Sequence, residues 1–243
     1  MNNLVELRHL IAPSGALRVG LYPGSPNSFI ASEPPAEHKG IGYELGRALA
    51  RRLDLAFEPV IFKMNGDVLA AAKKSQIDFL LANATPVRNE YLAFSKPVLM
   101  IDQGYLVTAN SKINSIDLID QPDIKVGVSA GSTSESVLPC LLQYARIISV
   151  KNLHDAAEKM RNGELAAFAT NKAILFELSD QLPGSQVLKG AWGLEKISIG
   201  IPIARNMALP YIQSFVDDIQ KSSFITQAAM RAGLRGITPD HSS

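Results

Sequence analysis

The first half of the chain alternates short apolar blocks with segments of helical periodicity. The blocks, each of the length of a buried strand, lie at residues 17–22, 56–62 and 77–82. Between the first two, Leu45, Leu49 and Leu53 recur every four residues, which indicates a helix with one buried face. A second helix is predicted at 67–75, and a short docking helix precedes the first strand. This alternation predicts a parallel sheet with right-handed crossovers.

The second half repeats the same order of elements. Strands are predicted at 125–128, 146–150 and 165–169, and helices at 135–143, at 152–161 and after Asn171 up to 179. A later strand at 197–203 and helices at 206–221 and 224–234 are assigned to the first half. The pattern therefore predicts an α/β protein of two lobes, each a mainly parallel sheet flanked by helices. Lobe 1 comprises 1–101 and 198–243, lobe 2 comprises 102–197, and two hinge crossings join them beside a cleft.

The segment after the third strand combines turn chemistry with a cation. Thr85 can cap a short turn, Pro86 suits its first position, and Arg88 then lies near the carboxyl end of the strand. In α/β sheets ligands bind at that end, and a guanidinium offers two parallel donors that match a carboxylate. Arg88, with Asn83 and Thr85 beside it, is therefore a candidate carboxylate site. A surface ion pair between Arg88 and Glu90 is the alternative.

A second candidate anion site lies at the predicted turn Gly131-Ser132-Thr133. Backbone N–H groups at a helix start, beside two hydroxyl groups, can bind an anion. Ordinary N-capping of the helix is the alternative. Together with Arg88, this site would hold one carboxylate from both lobes.

Composition narrows the classes of partner and site. The chain is 47% hydrophobic and carries 24 basic and 23 acidic residues, well mixed, so we expect no binding of nucleic acid. The histidines, at His9, His38, His154 and His241, lack metal-ligand spacing, and we expect neither a metal nor a cofactor. The single cysteine, Cys140, can form no internal disulfide and is predicted to be buried in its apolar run.

The N-terminus lacks a basic start followed by an apolar block, which is the signature of an export leader. If a leader has been removed, the protein is expected in the periplasm. If none existed, a cytoplasmic location stays open as the alternative.

A set of short motifs occurs in order along most of the chain. They are Leu17-Arg18-Val19-Gly20, Gly42-Tyr43-Glu44-Leu45, Thr85-Pro86-Val87-Arg88, Phe94-Ser95-Lys96-Pro97, Val126-Gly127-Val128, Gly131-Ser132-Thr133 and Gly163-Glu164-Leu165. In order and spacing they resemble the family 3 extracellular solute-binding proteins of ABC importers. The resemblance implies the two-lobed type 2 periplasmic binding protein fold and a ligand clamped between the lobes. It also implies that Arg88 and Thr133 match the positions that hold the α-carboxylate of an amino acid.

The sequence departs from the family pattern at the positions that receive the ammonium group. Amino-acid binders of this family begin the helix after a lobe 2 strand with an aspartate, and this chain has Asn171 there. A neutral amide cannot supply the charge that offsets the desolvation of an ammonium. Leu80 and Leu81 stand where polar residues usually precede the arginine turn. We therefore expect a carboxylate ligand without the usual α-amino contact, or one whose amine is bound differently.

The expected function is that of a monomeric solute-binding component that clamps a small amino-acid-like or organic acid and delivers it to an ABC permease in the membrane. We expect no catalytic residue, and apolar walls from two aromatic side chains. The predicted ligand-binding residues are Arg88, Asn83, Thr85, Gly131, Ser132, Thr133, Asn171, Tyr22 and Phe62.

Two other functions fit the same fold. Cyclohexadienyl dehydratases act on carboxylate substrates and need a carboxylic acid of tuned pKa, for which Glu44 and Glu90 are the nearest candidates. Both glutamates are more simply interpreted as helix-surface residues. The third possibility is a sensing domain that binds a ligand and reports closure to a partner, and its fusion context would distinguish it.

Overall fold

The computed structural model describes residues 2–23, 25–34 and 36–236. The predictions for His241 and for the lobe 1 segment 237–243 lie outside these residues. The chain forms two compact units: unit 1 comprises Met1–Leu99 and Lys196–Leu234, and unit 2 comprises Met100–Glu195 and Arg235–Ser243.

Each predicted helix and strand has a counterpart in the structure. The α-helices are α1 (Asn2–Ile11), α2 (Ile41–Leu53), α3 (Asn65–Lys73), α4 (Pro86–Asn89), α5 (Thr133–Leu141), α6 (Leu153–Arg161), α7 (Lys172–Asp180), α8 (Leu209–Gln220) and α9 (Phe224–Ala232). The strands are β1 (Ala16–Leu21), β2 (Ala56–Ile61), β3 (Leu80–Asn83), β4 (Leu92–Val107), β5 (Lys125–Ser129), β6 (Arg146–Val150), β7 (Ala167–Asn171), β8 (Gln186–Val187) and β9 (Gly193–Pro202). Short 3-10 helices lie at Ile116–Leu118 and Ile203–Ala208.

In unit 1 the strands that lead to the candidate site are parallel. β1 pairs in parallel with β2, and Val19 of β1 forms a parallel bridge to Phe79, just before β3. β9 then pairs antiparallel with β3. Leu45, Leu49 and Leu53 of α2 are fully buried, which confirms the helix face expected from their spacing.

In unit 2 the strand β5 lies between β6 and β7 and is parallel to both. β4 pairs antiparallel with β7, with Gln103 opposite Asn171, and β8 pairs antiparallel with β4. Both faces of this sheet are covered. Ala167 and Ala169 of β7 belong to one hydrophobic cluster, and Phe168 between them belongs to another, as strand alternation requires.

The strand β4 begins at Leu92, although Ser95, Lys96 and Pro97 lie within it. Side chains satisfy the backbone there: Lys96 N donates to Gln213 Oε1 at 2.9 Å, and Ser95 Oγ accepts from the backbone N of a β9 residue at 3.1 Å. The strand therefore continues through a segment that local propensity disfavours.

A buried carboxylate ties unit 1 together. The side chain of Asp78 is 0% exposed, and it accepts hydrogen bonds from Arg18 Nη2 at 2.7 Å and from Arg18 N at 2.9 Å. Arg205 Nη1 also pairs with Asp78 and donates to Ile11 O at 2.8 Å. This network joins β1, the segment before β3, the end of α1 and the 3-10 helix Ile203–Ala208.

Candidate functional site

The turn after β3 is built as its sequence predicts. Thr85 is the N-cap of α4, and its Oγ1 accepts a hydrogen bond from Arg88 N at 3.3 Å. Pro86 occupies the first turn of this helix, where a missing N–H costs nothing. Because β3 ends at Asn83, the turn begins at the carboxyl end of the strand.

The guanidinium group of Arg88 is held by the residue that ends β3. Its Nη1 donates to Asn83 O at 3.0 Å and also to Asn83 Oδ1. Arg88 is half-buried, whereas Glu90, its alternative partner, is exposed. Asn83 therefore orients the plane of the guanidinium, which makes it a positioning residue for Arg88.

Two aromatic side chains pack near this turn. Tyr22 and Phe62 are half-buried and rest on the hydrophobic cluster that contains Leu80 and Ala82. The Tyr22 hydroxyl donates to Ser25 Oγ at 3.4 Å. Leu80 is fully buried in this cluster, so the apolar residue at that position serves the core of unit 1.

In unit 2 the start of α5 is closed by its own side chains. Ser132 is the N-cap and accepts from Glu135 N at 3.2 Å, while Gly131 N donates to Glu135 Oε2 at 2.6 Å. Hydrogen bonds from Ser149 and from the Gly131 amide hold the pKa of Glu135 below its usual value. Thr133, the first helical residue, is half-buried. Ser132 therefore acts as an ordinary N-cap, which was the alternative to an anion site. The Gly131 amide donates to the carboxylate of Glu135.

Asn171 caps the helix that follows β7 and also binds a carboxylate. Its Oδ1 accepts from Ile174 N at 3.1 Å, and its Nδ2 donates to Glu195 Oε2 at 2.7 Å. Asn171 is 6% exposed, and Glu195 on β9 is half-buried. The position where the family pattern has an aspartate therefore carries an amide bonded to a negative charge.

Sequence reasoning missed Glu195 and a second polar residue, Gln103. Gln103 is 4% exposed, and its Oε1 has no hydrogen-bond partner among the described residues. Neither residue lies in a motif, and the strand predicted at 197–203 begins two residues after Glu195, whereas β9 begins at Gly193. Strand pairing and a hydrogen bond place the two residues beside Asn171, and no local pattern in the sequence shows this.

Within each unit the predicted residues gather at the carboxyl ends of strands. In unit 1, Tyr22 follows β1, Phe62 follows β2 and Asn83 ends β3. In unit 2, Gly131 lies just after β5, and Asn171 ends the neighbouring strand β7. These edges are where open α/β sheets bind ligands.

Other predicted features have plain structural roles or are wrong. Cys140 is exposed, so its predicted burial is wrong: α5 buries Leu138 and turns Cys140 and Leu141 to solvent. Among the described residues, no group of three or more metal-ligating side chains is placed to hold a metal ion. In the same part of the chain, no helix combines the length and apolarity needed to cross a bilayer.

Trp192 packs on the core of unit 2, and its Nε1 donates a hydrogen bond to Gly104 O at 2.9 Å.

The two candidate acids for catalysis differ in their surroundings. Glu44 is 7% exposed and forms an ion pair with Arg231, Oε2 to Nη2 at 2.5 Å, which joins α2 to α9. Its interpretation as a helix-surface residue is therefore wrong. Glu90, by contrast, is exposed.

Solved structures share this fold. An ancestral amino acid-binding protein, a precursor of cyclohexadienyl dehydratase, superposes with a TM-score of 0.75 at 23% identity, covering 94% of this chain and 98% of that one. The solute receptor for L-cysteine of Neisseria gonorrhoeae gives a TM-score of 0.78 at 16% identity, covering 98% and 97%. At these identities the likeness shows the fold alone, and it confirms the predicted type 2 periplasmic binding protein fold.

Sequence comparison identifies the family. The chain aligns with a glutamine-binding protein of Geobacillus stearothermophilus at 28% identity over 131 residues, which is 51% of this chain and 48% of that protein. The chain thus spans about half the length of this curated relative. The family model of bacterial extracellular solute-binding proteins, family 3, matches residues 17–240, nearly the whole chain. The chain therefore belongs to the family 3 bacterial extracellular solute-binding proteins.

Proposed function

We propose that this chain is the solute-binding component of an ABC-type importer and that its ligand is an amino acid or a related small carboxylate. The observation that supports this most is the environment of Arg88. The cation is half-buried at the carboxyl end of β3, and Asn83 orients its guanidinium through Nη1. A guanidinium held in this way can bind a carboxylate with two charge-assisted hydrogen bonds.

Unit 2, taken by itself, also carries groups that suit a carboxylate. The hydroxyl of Thr133 and the positive N-terminal end of α5 suit a negative group. Ser132 and Gly131 stabilise the start of α5 through its capping hydrogen bonds. Asn171 caps the start of α7 in the same unit. Tyr22 and Phe62 of unit 1 provide apolar walls, with Thr85 capping the turn that carries Arg88.

The proposed mechanism is hinge closure. A ligand stabilises the closed form through contacts that it makes only there. A membrane permease would then recognise the closed, loaded protein. In this role the protein works as a monomer in the periplasm.

Binding to defined compounds tests the proposal. We expect at least one of the twenty L-amino acids, with L-glutamine as the first probe because of the glutamine-binding relative, or one simple carboxylic acid, to stabilise the protein. At a ligand concentration of 100 Kd the gain is about 2.7 kcal/mol, which raises the Tm of a chain of this size by roughly 5–10 °C. Thermal unfolding and calorimetry measure it. The proposal would be contradicted if an amine that lacks the carboxylate bound as tightly as the amino acid, or if none of these compounds stabilised the protein.

We expect no dehydratase activity. Glu44 is engaged by Arg231, and Glu90 is exposed to solvent, so neither has the enclosed setting in which a general acid works on a bound substrate. A steady-state assay with prephenate and with arogenate checks this expectation. Substrate loss above the uncatalysed rate by the unaltered protein would overturn the binding-only function, and Glu44→Gln and Glu90→Gln would then show whether either acid is responsible.

A further inference from the structure

A negative charge lies beside Asn171, at the position that lacks its family carboxylate. Glu195 Oε2 accepts a hydrogen bond from Asn171 Nδ2 at 2.7 Å. The two residues are 24 positions apart in sequence, and β9 brings Glu195 into place. The amide thus does not act alone, because it is directly coupled to a carboxylate.

The orientation of the Asn171 amide follows from its bonds. Ile174 N donates at 3.1 Å to Oδ1, so this atom must be the acceptor oxygen and Nδ2 must be the donor. Asn171 is 6% exposed, and its Oδ1 and Nδ2 are both hydrogen-bonded, so only one orientation of the amide satisfies both atoms. A carboxylate has about four lone-pair sites, so Glu195 can accept further donors in addition to this amide.

Gln103 adds an acceptor to the same face of the sheet. It is the direct antiparallel partner of Asn171, and opposite residues of such a pair project on the same side. Its other neighbour is Gly193, where an added Cβ would lie 3.7 Å from Gln103 Cβ. Glu195 is two residues beyond Gly193 along β9, so it projects to that side as well.

The Oε1 atom of Gln103 is buried without a hydrogen-bond partner among the described residues. Leaving such an acceptor unpaired costs about 1–3 kcal/mol, so native proteins rarely do so without a reason. The nearby cation of Lys172 is bonded to Asp102 at 3.0 Å. A donor supplied from outside the chain would satisfy Gln103, and a positively charged one would also suit Glu195.

We propose that Glu195 and Gln103 form the subsite that binds the ammonium group of an α-amino acid, with Asn171 as the residue that positions Glu195. This inference rests on the proposed function and extends it, because it specifies a zwitterionic ligand. The ammonium group has three N–H donors and a unit positive charge, which match one carboxylate and one amide oxygen. The charge that the family pattern carries at the start of α7 is supplied here from β9.

Pairs of ligands that differ only in the α-amino group test the subsite. The probes are L-glutamine with glutaramate, L-glutamate with glutarate, L-leucine with 4-methylpentanoate, L-cysteine with 3-mercaptopropionate and L-arginine with 5-guanidinopentanoate. For any pair that binds, calorimetry is expected to show that the amino acid binds at least about tenfold more tightly than its partner, as loss of a partner from a charged, hydrogen-bonded pair requires.

Three variants then assign the preference to these residues. Glu195→Gln is expected to remove most of the preference while leaving the affinity for the des-amino acid within about twofold. Gln103→Met removes the unpartnered acceptor at similar volume, so it should weaken amino acid binding and yet leave the free protein as stable or more stable. Asn171→Asp combined with Glu195→Gln moves the charge to the start of α7 and should restore the preference.

Glu158→Gln is the matched control, because it neutralises an exposed glutamate of the same unit and should change neither affinity. Equal binding of both members of each pair by the unaltered protein, or a preference that survives both Glu195→Gln and Gln103→Met, would overturn the ammonium subsite. If both members bind equally and both lose affinity in Arg88→Ala, the proposed function stands and only this inference fails. If no member of any pair binds, the proposed function fails as well.

Discussion

Replacing Arg88 with alanine is expected to weaken carboxylate binding by about 2–5 kcal/mol while leaving the fold intact. The size follows from the loss of a charge-assisted, bidentate interaction in a partly buried site. Folding should be little affected, because the guanidinium bonds to Asn83, a half-buried residue at the end of β3. Calorimetry with the compounds that bind the unaltered protein measures the loss, and circular dichroism checks the fold.

Two further substitutions at arginines sharpen this test. Arg88→Lys keeps the charge but not the planar pair of donors, so its affinity should fall between those of Arg88→Ala and the unaltered protein. Arg51→Ala removes an exposed arginine of the same unit and should leave binding unchanged. A structural role for Arg88 would instead appear as a loss of stability in Arg88→Ala, or as a carboxylate affinity within about 0.5 kcal/mol of the unaltered protein.

Replacing Asp78 with alanine is expected to lower the free energy of unfolding by about 3–5 kcal/mol, the scale for removing one partner of a buried ion pair. The carboxylate is 0% exposed and pairs with Arg18 and Arg205, whose side chains are only 22% and 11% exposed. Its loss would leave two poorly solvated cations close together. Urea unfolding at neutral pH measures the effect.

The exposed pair between Arg52 and Asp218 provides the matched comparison for Asp78. These side chains also form an Asp–Arg bridge in unit 1, at 2.6 Å, but they are 34% and 53% exposed. Asp218→Ala should therefore cost no more than about 1 kcal/mol. Similar losses in the two variants would mean that burial does not strengthen the Asp78 network.

The N-caps were predictable because their signal is local. Thr85, Asn152 and Asn171 each accept a hydrogen bond from the backbone N three residues ahead, and threonine and asparagine are residue types that favour this position. Such a bond spans a single helical turn, so it depends little on the rest of the fold. The turn that carries Arg88 could be recognised for the same reason.

The environment of Cys140 could not be predicted from its neighbours. A continuous apolar run in a helix covers every face, and only the packing of α5 decides which face is buried. Leu138 is buried and Leu141 is 51% exposed, although both lie in the same apolar run. The run therefore predicts an apolar helix but does not predict which of its residues are buried.

Asn171 replaces the aspartate of the family pattern, and the structure changes the interpretation of this replacement. From the sequence alone, it indicates the loss of a negative charge that an ammonium ligand needs. In the fold its Nδ2 is bonded to Glu195, so a carboxylate is present within hydrogen-bond distance of the same position. Of the two ligand classes left open by the sequence, this contact favours one whose amine is bound differently.

Residue patterns along the chain predict the alternation of helices and strands, the helix caps, the Arg88 turn and the family, because each depends on neighbouring residues or on motif order. The long-range polar pairs depend on how the chain packs. Glu44 meets Arg231 across 187 positions, Asp78 meets Arg205 across 127, and Asn171 meets Glu195 across 24. Packing of helices and strands brings such a charge to its partner, and no local pattern encodes that packing.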